Sequence, residues 1–482
     1  MNTFKNIYFL SVATLFVVYI FLYISNTLLT DSSAYLYIGS QINLGKVPYL
    51  DMFDHKGPLL YFVNAFPFFI GGSWKSIYLI EGCLLTIVTI LLFNIFSKLN
   101  YQQYKYFLTS IFLISFLLIF NGGNLPETYI FLILSICYLV VFYFVENDQI
   151  DAIKNTSLRK IFFWLGFAIG LIALIKISNI AGIIFLTIFF GYQKKGVDNS
   201  LLLFSLAGAM MPIIPTIAWL YSNGALDEFI NQYFIYNFFY IEDEVLLIRI
   251  TNLLILIANF FLLPVNFLTI ILIGIVGLKE IKIKSDKWIL AFFFVLAIDF
   301  LSQIISGKGI QHYLLITIPS SIVLIAMLIK NNILKFPERI KTFKSFFIII
   351  LIFSSYRITE DLFNFSAYST INENRKEQIR YLLSNNKPLE KIIIDSSNAW
   401  LYLQANKESA SKYFTNIALK SNFLNANAEH ISMINAEKPQ IIISRFCHKN
   451  NQENCHRELN NILKKFYTKD EVIGDMEFWQ LN

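Results

Sequence analysis

The sequence predicts a polytopic α-helical membrane protein of about eleven transmembrane helices, with a small C-terminal α/β domain outside the cytoplasm. Three observations lead there. Over 482 residues, 56% are hydrophobic, 17% aromatic and only 15% charged, which excludes an ordinary soluble globule. Apolar runs long enough for a bilayer span, about 20 residues, recur along the chain. From Arg357 to Asn482 the character changes: charged and amide residues dominate and no run is apolar enough to span.

In order, the expected spans are 8–29, 77–97, 106–120, 128–145, 161–175, 177–192, 201–221, 254–278, 288–305, 313–330 and 343–358. The first is too long for a signal-peptide core and lacks a small-residue cleavage site after it, so it reads as a retained helix. Lys176-Ile-Ser-Asn179 breaks one apolar run into two short helices. Leu246–Leu278 reads as a surface segment leading into one span, with Pro264 as the kink. Gly224–Tyr240, rich in Tyr and Phe, reads as an interfacial helix.

The basic residues assign sides. With the N-terminus inside, one set of connections carries Lys98, Lys105, Lys154, Arg159, Lys160, Lys194 and Lys195, then Lys279 to Lys287 and Lys335 to Lys344. The other set carries only Lys46, Lys56, Lys75, Lys176, Arg249 and Lys308. By the positive-inside rule the first set is cytoplasmic, and the tail lies outside. The net charge of +6 is therefore a topology signal and implies no nucleic-acid partner.

Residues 1–356 form the membrane domain, with an outer loop over 30–76, and 357–482 form the α/β domain. In the tail, Lys391–Ile394 and Gln440–Ser444 read as buried strands, Cys455–Phe466 as an amphipathic helix and Glu477–Leu481 as a last strand. Of the four cysteines, Cys83 and Cys137 lie in apolar runs and read as packing residues. Cys447-His448 and Cys455-His456 lack C-x-x-C spacing, so a disulfide or no bond at all fits them better than zinc.

The chemistry concentrates in Thr30–Ala65, which groups Asp31, Asp51, Asp54, His55 and Lys56. Asp31-Ser32-Ser33 open a short helix through Asn43 with one greasy side. Gly45-Lys46-Val47-Pro48 turns the chain, and Gly57-Pro58 starts a second apolar helix. Asp31 and the Asp54-His55-Lys56 trio thus fall at helix ends, where they can converge.

An acid after the first span, an amphipathic helix and then G-x-x-P-Y-x-D-x-F-D-H-K-x-P resemble the membrane-embedded GT-C glycosyltransferases. The nearest group by pattern is the bacterial lipid-linked-sugar transferases related to protein O-mannosyltransferase and the lipid A aminoarabinose transferase. GNLPE at Gly123–Glu127 and GKGIQHYLL at Gly307–Leu315 resemble the family more loosely. Gly57 departs from it, since many relatives carry a second proline there.

The resemblance implies an inverting transferase that takes sugar from a polyprenyl-phosphate donor at the outer face of the cytoplasmic membrane. The acceptor is a cell-envelope glycan, lipid or protein. Asp31 would then be the general base that removes the acceptor's hydroxyl proton; its plainer reading is an acid marking the water boundary. Lys56 would bind the donor phosphate and stabilise its growing charge, where a lone lysine would only snorkel. His312 and Lys308 are further candidates for the donor phosphate, and Glu127 is a second acid. Asp54 and His55 offer ligands for a divalent metal. Asp299 lies within a span and must face the bundle interior or a cavity.

No Walker motif, G-x-G-x-x-G, C-x-x-C or G-x-S-x-G competes. The alternatives are a transporter or flippase for lipid-linked sugars, which predicts charges near the bilayer midplane, and a polymerase, which predicts arginine-rich outer loops.

Overall fold

The structure is a computed structural model. It describes residues 30–99, 101, 104–119, 123–146, 155–193, 200–242, 246–278, 287–305, 307–330, 373–384, 390–395, 399–415, 419, 423–445 and 457–482. The expected spans 8–29 and 343–358 lie outside these residues, as do Cys447 and Cys455. The chain parts into two compact units. One comprises Met1–Ser25, Ser76–Ala218 and Glu244–Arg357; the other comprises Asn26–Lys75, Trp219–Asp243 and Ile358–Asn482.

The first unit is helical. Among the described residues, six helices are long and apolar enough to cross a membrane: Ser76–Lys98, Pro126–Glu146, Asn155–Ala173, Ser200–Ser222, Lys287–Ile304 and Gln311–Lys330. Each is largely a run of apolar residues, with the Arg159-Lys160 pair near the start of Asn155–Ala173, and hydrogen bonding within the helix satisfies the backbone in an apolar surrounding.

Other expected spans correspond to shorter or bent helices. The stretch read as 106–120 is a 15-residue helix, Lys105–Ile119. The stretch read as 177–192 is a 3-10 turn at Ile177–Asn179 and a 12-residue helix, Ala181–Tyr192. Neither reaches the roughly 20 residues of a bilayer span. Leu246–Leu262 and Pro264–Gly274 form a pair bent by 82°. The break falls beside Pro264, whose missing N–H and ring interrupt the helical ladder.

Small residues bring two of these helices together. A side chain on Gly166 would run into the Ser205 carbonyl, and one on Gly170 into the Ala209 carbonyl. Small residues spaced by four on both helices allow this backbone approach. Elsewhere aromatic rings fill the bundle: Phe131 lies 5.2 Å from Phe112 and 5.0 Å from Phe116.

The second unit combines three separated stretches. Its strands are β1 (Lys391–Asp395), β2 (Glu408–Ser409), β3 (Ile441–Arg445), β4 (Tyr467–Ile473) and β5 (Met476–Leu481). They form one sheet in the order β2-β1-β3-β5-β4. β1 pairs in parallel with β2 and β3, while β5 pairs antiparallel with β3 and β4. The isoleucines of β1 and β3 are buried in succession, as strands covered on both faces require. Arg457–Phe466 lays Leu459, Ile462 and Leu463 on Ile393 and Ile442.

The strands at β1, β3 and β5 and this helix fall where the sequence places them. β4 does not announce itself, because the edge strand YTKDEVI exposes most of its residues and carries no alternation.

The helix after the first expected span is real, Thr30–Asn43, but it is not amphipathic in place. Ser32 to Gly39 are all buried. Gly39 lets the Asn64–Ala65 backbone of the Pro58–Phe69 helix close onto it, where any side chain would collide. On another side Tyr37 packs 5.0 Å from Tyr402 and 4.9 Å from Phe414, and its hydroxyl accepts the Ser409 N–H at 2.8 Å. Ser32 and Ser33, the polar residues of its first turn, are buried as well.

Candidate functional site

In the second unit the site is a loop that folds on itself before the Pro58–Phe69 helix. Asp51 closes the turn, its Oδ2 accepting the Val47 N–H at 2.7 Å while its own N–H donates to the Val47 carbonyl at 2.9 Å. Asp51 is therefore committed to the turn. Tyr49 takes a positive φ of 70° and points inward, fully buried. Its hydroxyl donates to the Lys56 carbonyl at 2.7 Å, and the Tyr61 hydroxyl accepts the Lys56 N–H at 3.1 Å. Two tyrosines thus fix the backbone of Lys56.

The trio forms a line of three groups. Lys56 Nζ lies 2.7 Å from His55 Nε2. An ammonium only donates, so Nε2 must accept and the imidazole proton sits on Nδ1. Nδ1 lies 3.3 Å from Asp54 Oδ1, which also accepts the His55 backbone N–H at 2.7 Å.

Burial pushes the Asp54 carboxyl up, but hydrogen bonding from His55 and the nearby Lys56 charge outweigh this and hold it below its ordinary value. For His55, burial and the Lys56 charge push the imidazole down by more than Asp54 and Asp31 restore. Asp31 lies exposed in the first turn of the Thr30–Asn43 helix, within electrostatic reach of His55.

Asp54 Oδ2 is buried and finds no hydrogen-bond donor among the described residues. As a metal site, Asp54 and His55 are two donors. Among the described residues no group of three His, Cys, Asp or Glu side chains gathers. Lys56 also occupies the Nε2 lone pair, so substrate oxygens and water would have to complete any metal shell.

The first unit holds the other sequence candidates. Asn124 adopts a φ of 52° ahead of Pro126, which opens the Pro126–Glu146 helix and buries Glu127 in its first turn. Glu127 Oε1 pairs with Lys176 Nζ at 2.6 Å, and Oε2 lies 3.7 Å from His312 Nε2. Lys176 Nζ sits 3.7 Å from the Tyr313 ring centre, a cation–π contact in a poorly hydrated place. GNLPE and GKGIQHY thus meet through Glu127 and His312. Lys308 is half-buried on a loop closed by Asn252 Nδ2 donating to the Gly307 carbonyl at 2.9 Å.

Asp299 is buried in the Lys287–Ile304 helix. The Tyr138 hydroxyl lies 3.1 Å and the Ser320 hydroxyl 3.4 Å from its Oδ2.

Four residues that sequence reasoning passes over carry these sites. Glu81 accepts the Asn124 N–H at 3.0 Å and so sets the GNLPE turn; an acid in the apolar Ser76–Lys98 run is the available signal. Lys176 reads along the chain only as a topology charge. Gln232 and Asn237 hold the Asp54–His55 backbone, and their signal is amides within an aromatic stretch.

Lys176→Met should leave Glu127 buried without its cation and cost about 3 kcal/mol. Thermal unfolding in detergent measures this, and adding Glu127→Gln should recover part of the loss. A pH dependence is expected from His55, which is neutral with a depressed folded value. Its stabilising contribution is therefore complete above the ordinary imidazole value of about 6.5 and is lost as pH falls through the depressed value. Wild-type melting temperature should fall more steeply with acid than that of His55→Asn. Parallel slopes would place the acid sensitivity elsewhere.

No protein-family model, no curated protein and no solved structure matches this chain.

Proposed function

We propose that the chain is an inverting GT-C-type glycosyltransferase of the cytoplasmic membrane. It moves a sugar from a polyprenyl phosphate to a cell-envelope glycan, lipid or protein acceptor at the outer face. The observation that carries the reading is the Lys56 ammonium held 2.7 Å from the buried His55 imidazole, in the same unit as an exposed carboxylate, Asp31, in the first turn of the Thr30–Asn43 helix. The motif in which they stand is the part of the chain that resembles the family.

Asp31 takes the acceptor's hydroxyl proton as the acceptor oxygen bonds to the sugar C1. The C1–O bond to phosphate breaks with its electron pair on the phosphate oxygen. Lys56 stabilises that charge, and the positive end of the Pro58–Phe69 helix dipole has the same sign. His55 holds the Lys56 ammonium in place, and Asp54 holds His55 in the tautomer that accepts from it. Within the first unit, Glu127, matched by Lys176 and beside His312, is a second acid. Since Lys56 takes the Nε2 lone pair of His55, a divalent ion would be held by Asp54 Oδ2 and would supply further positive charge for the leaving phosphate.

A carrier of lipid-linked sugars is the second reading. It is favoured by the buried Asp299 carboxyl, which accepts from the Tyr138 and Ser320 hydroxyls. Mass spectrometry of lipid-linked sugars in a deletion strain separates the two. A missing surface sugar supports transfer, and an accumulated precursor on the inner leaflet supports carriage.

Asp31→Asn keeps size and one acceptor oxygen but cannot take the proton. Losing a positioned base costs about 10²–10⁴ in rate, so the surface glycan should vanish while the protein still folds. Wild-type glycan and rate in this variant would remove Asp31 from the mechanism. For sidedness, cysteines at the exposed Leu50 and Glu471 should label from outside in intact cells. Labelling only after lysis would reverse the orientation.

A further inference from the structure

We propose that Gln232 is a positioning residue for the Asp54–His55–Lys56 trio, set in turn by Lys412 of the C-terminal stretch through Glu228. Its catalytic consequence rests on the transferase reading, while its geometry does not.

Gln232 sits in a π-helical segment, Ile230–Ile235, between Leu226–Phe229 and Tyr236–Glu242. A π-turn inserts a residue and re-aims the side chains beyond it, and such turns recur at functional positions. Here it presents both Gln232 and Asn237 to the loop. Gln232 is 1% exposed and uses both ends of its amide. Oε1 accepts the Asp54 N–H at 3.3 Å, while Nε2 donates to the Tyr49 carbonyl at 2.7 Å and to Glu228 Oε2 at 2.9 Å.

The amide fits only one way round. Reversed, its NH₂ would meet the Asp54 N–H and its oxygen would meet a carboxylate and a carbonyl. Asn237 Nδ2 adds a bond to the His55 carbonyl at 3.0 Å. The backbone of Asp54 and His55 is therefore held by this helix.

The helix is held by the C-terminal stretch. Lys412 Nζ lies 2.7 Å from Glu429 Oε1 and 3.9 Å from Glu228 Oε1. The Lys412 carbonyl accepts the Phe53 N–H at 2.8 Å, and Phe53 packs with Tyr236, Tyr413 and Phe423. One lysine thus binds the loop through its backbone and lies at ion-pair distance from the Gln232 helix with its side chain. A purely structural glutamine would affect stability when lost. A positioning one also changes the surroundings of His55 and the rate of the chemical step.

The test uses the purified full chain and diethyl pyrocarbonate, with modification of each histidine measured by peptide mass spectrometry. In the wild type, His55 is 6% exposed with Nε2 on Lys56, so it should react slowly. Gln232→Leu should speed modification at His55 and leave His312, buried in the first unit, at its wild-type rate. It should lower kcat by up to about 10²-fold with KM little changed, the scale of a small misplacement of catalytic groups.

Lys412→Met should show a smaller change of the same kind. Lys391→Met, which removes a surface pair with Glu437, should show none. His55 modification at the wild-type rate in both Gln232→Leu and Lys412→Met overturns the proposal. If Gln232→Leu does not fold, Lys412→Met alone decides it. A wild-type protein without transferase activity would remove the transferase reading and leave the His55 measurement to judge the positioning.

Discussion

A buried loop must find a partner for each of its backbone N–H and C=O groups, and the second unit is arranged around that demand. The stretch from Val47 to Lys56 forms neither helix nor strand, so it cannot pair its own groups along a ladder. Asp51 and the Tyr49–Met52 bond close its turn. Tyr49, Tyr61, Gln232, Asn237 and the Lys412 carbonyl supply what remains. Each of these partners is itself buried or tied, so the loop has little freedom to slip. That rigidity is what allows an ammonium to rest 2.7 Å from a neutral imidazole.

In the first unit the constraint is electrostatic. A carboxylate removed from water is costly unless a partner replaces the lost hydration. Glu127 takes Lys176 and lies beside His312, and Glu81 takes a backbone N–H. These pairs tie residues from distant helices, because a buried charge accepts whichever partner the packing brings within reach. Gly166 and Gly170 act on the same packing from the apolar side, letting backbones approach where side chains would hold them apart.

Much of the architecture is legible in the chain, for physical reasons. Apolar length marks helices such as Pro126–Glu146 and Ser200–Ser222 without any tertiary information. The isoleucines of β1 and β3 and the i, i+3, i+4 spacing of Leu459, Ile462 and Leu463 mark a buried strand pair and the helix covering it. Lys105–Ile119 and Ala181–Tyr192 also lie where apolar composition places them, although each is shorter than a bilayer span. In the candidate site, Asp54, His55 and Lys56 are visible because such groups are rare in an oily chain. Gln232 and Asn237 are not, because an amide has no pattern until its partners are known.

By itself, the sequence determined the class of protein, the membrane-length helices, the α/β character of the tail and the motif in which the charged groups stand. These depend on composition and on spacing along one element, which the chain carries locally. The tertiary structure decided which groups meet: Lys176 with Glu127, Gln232 with Asp54, Tyr37 with Ser409. It also decided that the helix after Thr30 is enclosed rather than half wet. Such pairings join residues tens to hundreds of positions apart. They depend on how helices pack and where a buried polar group can be satisfied, which no local spacing records.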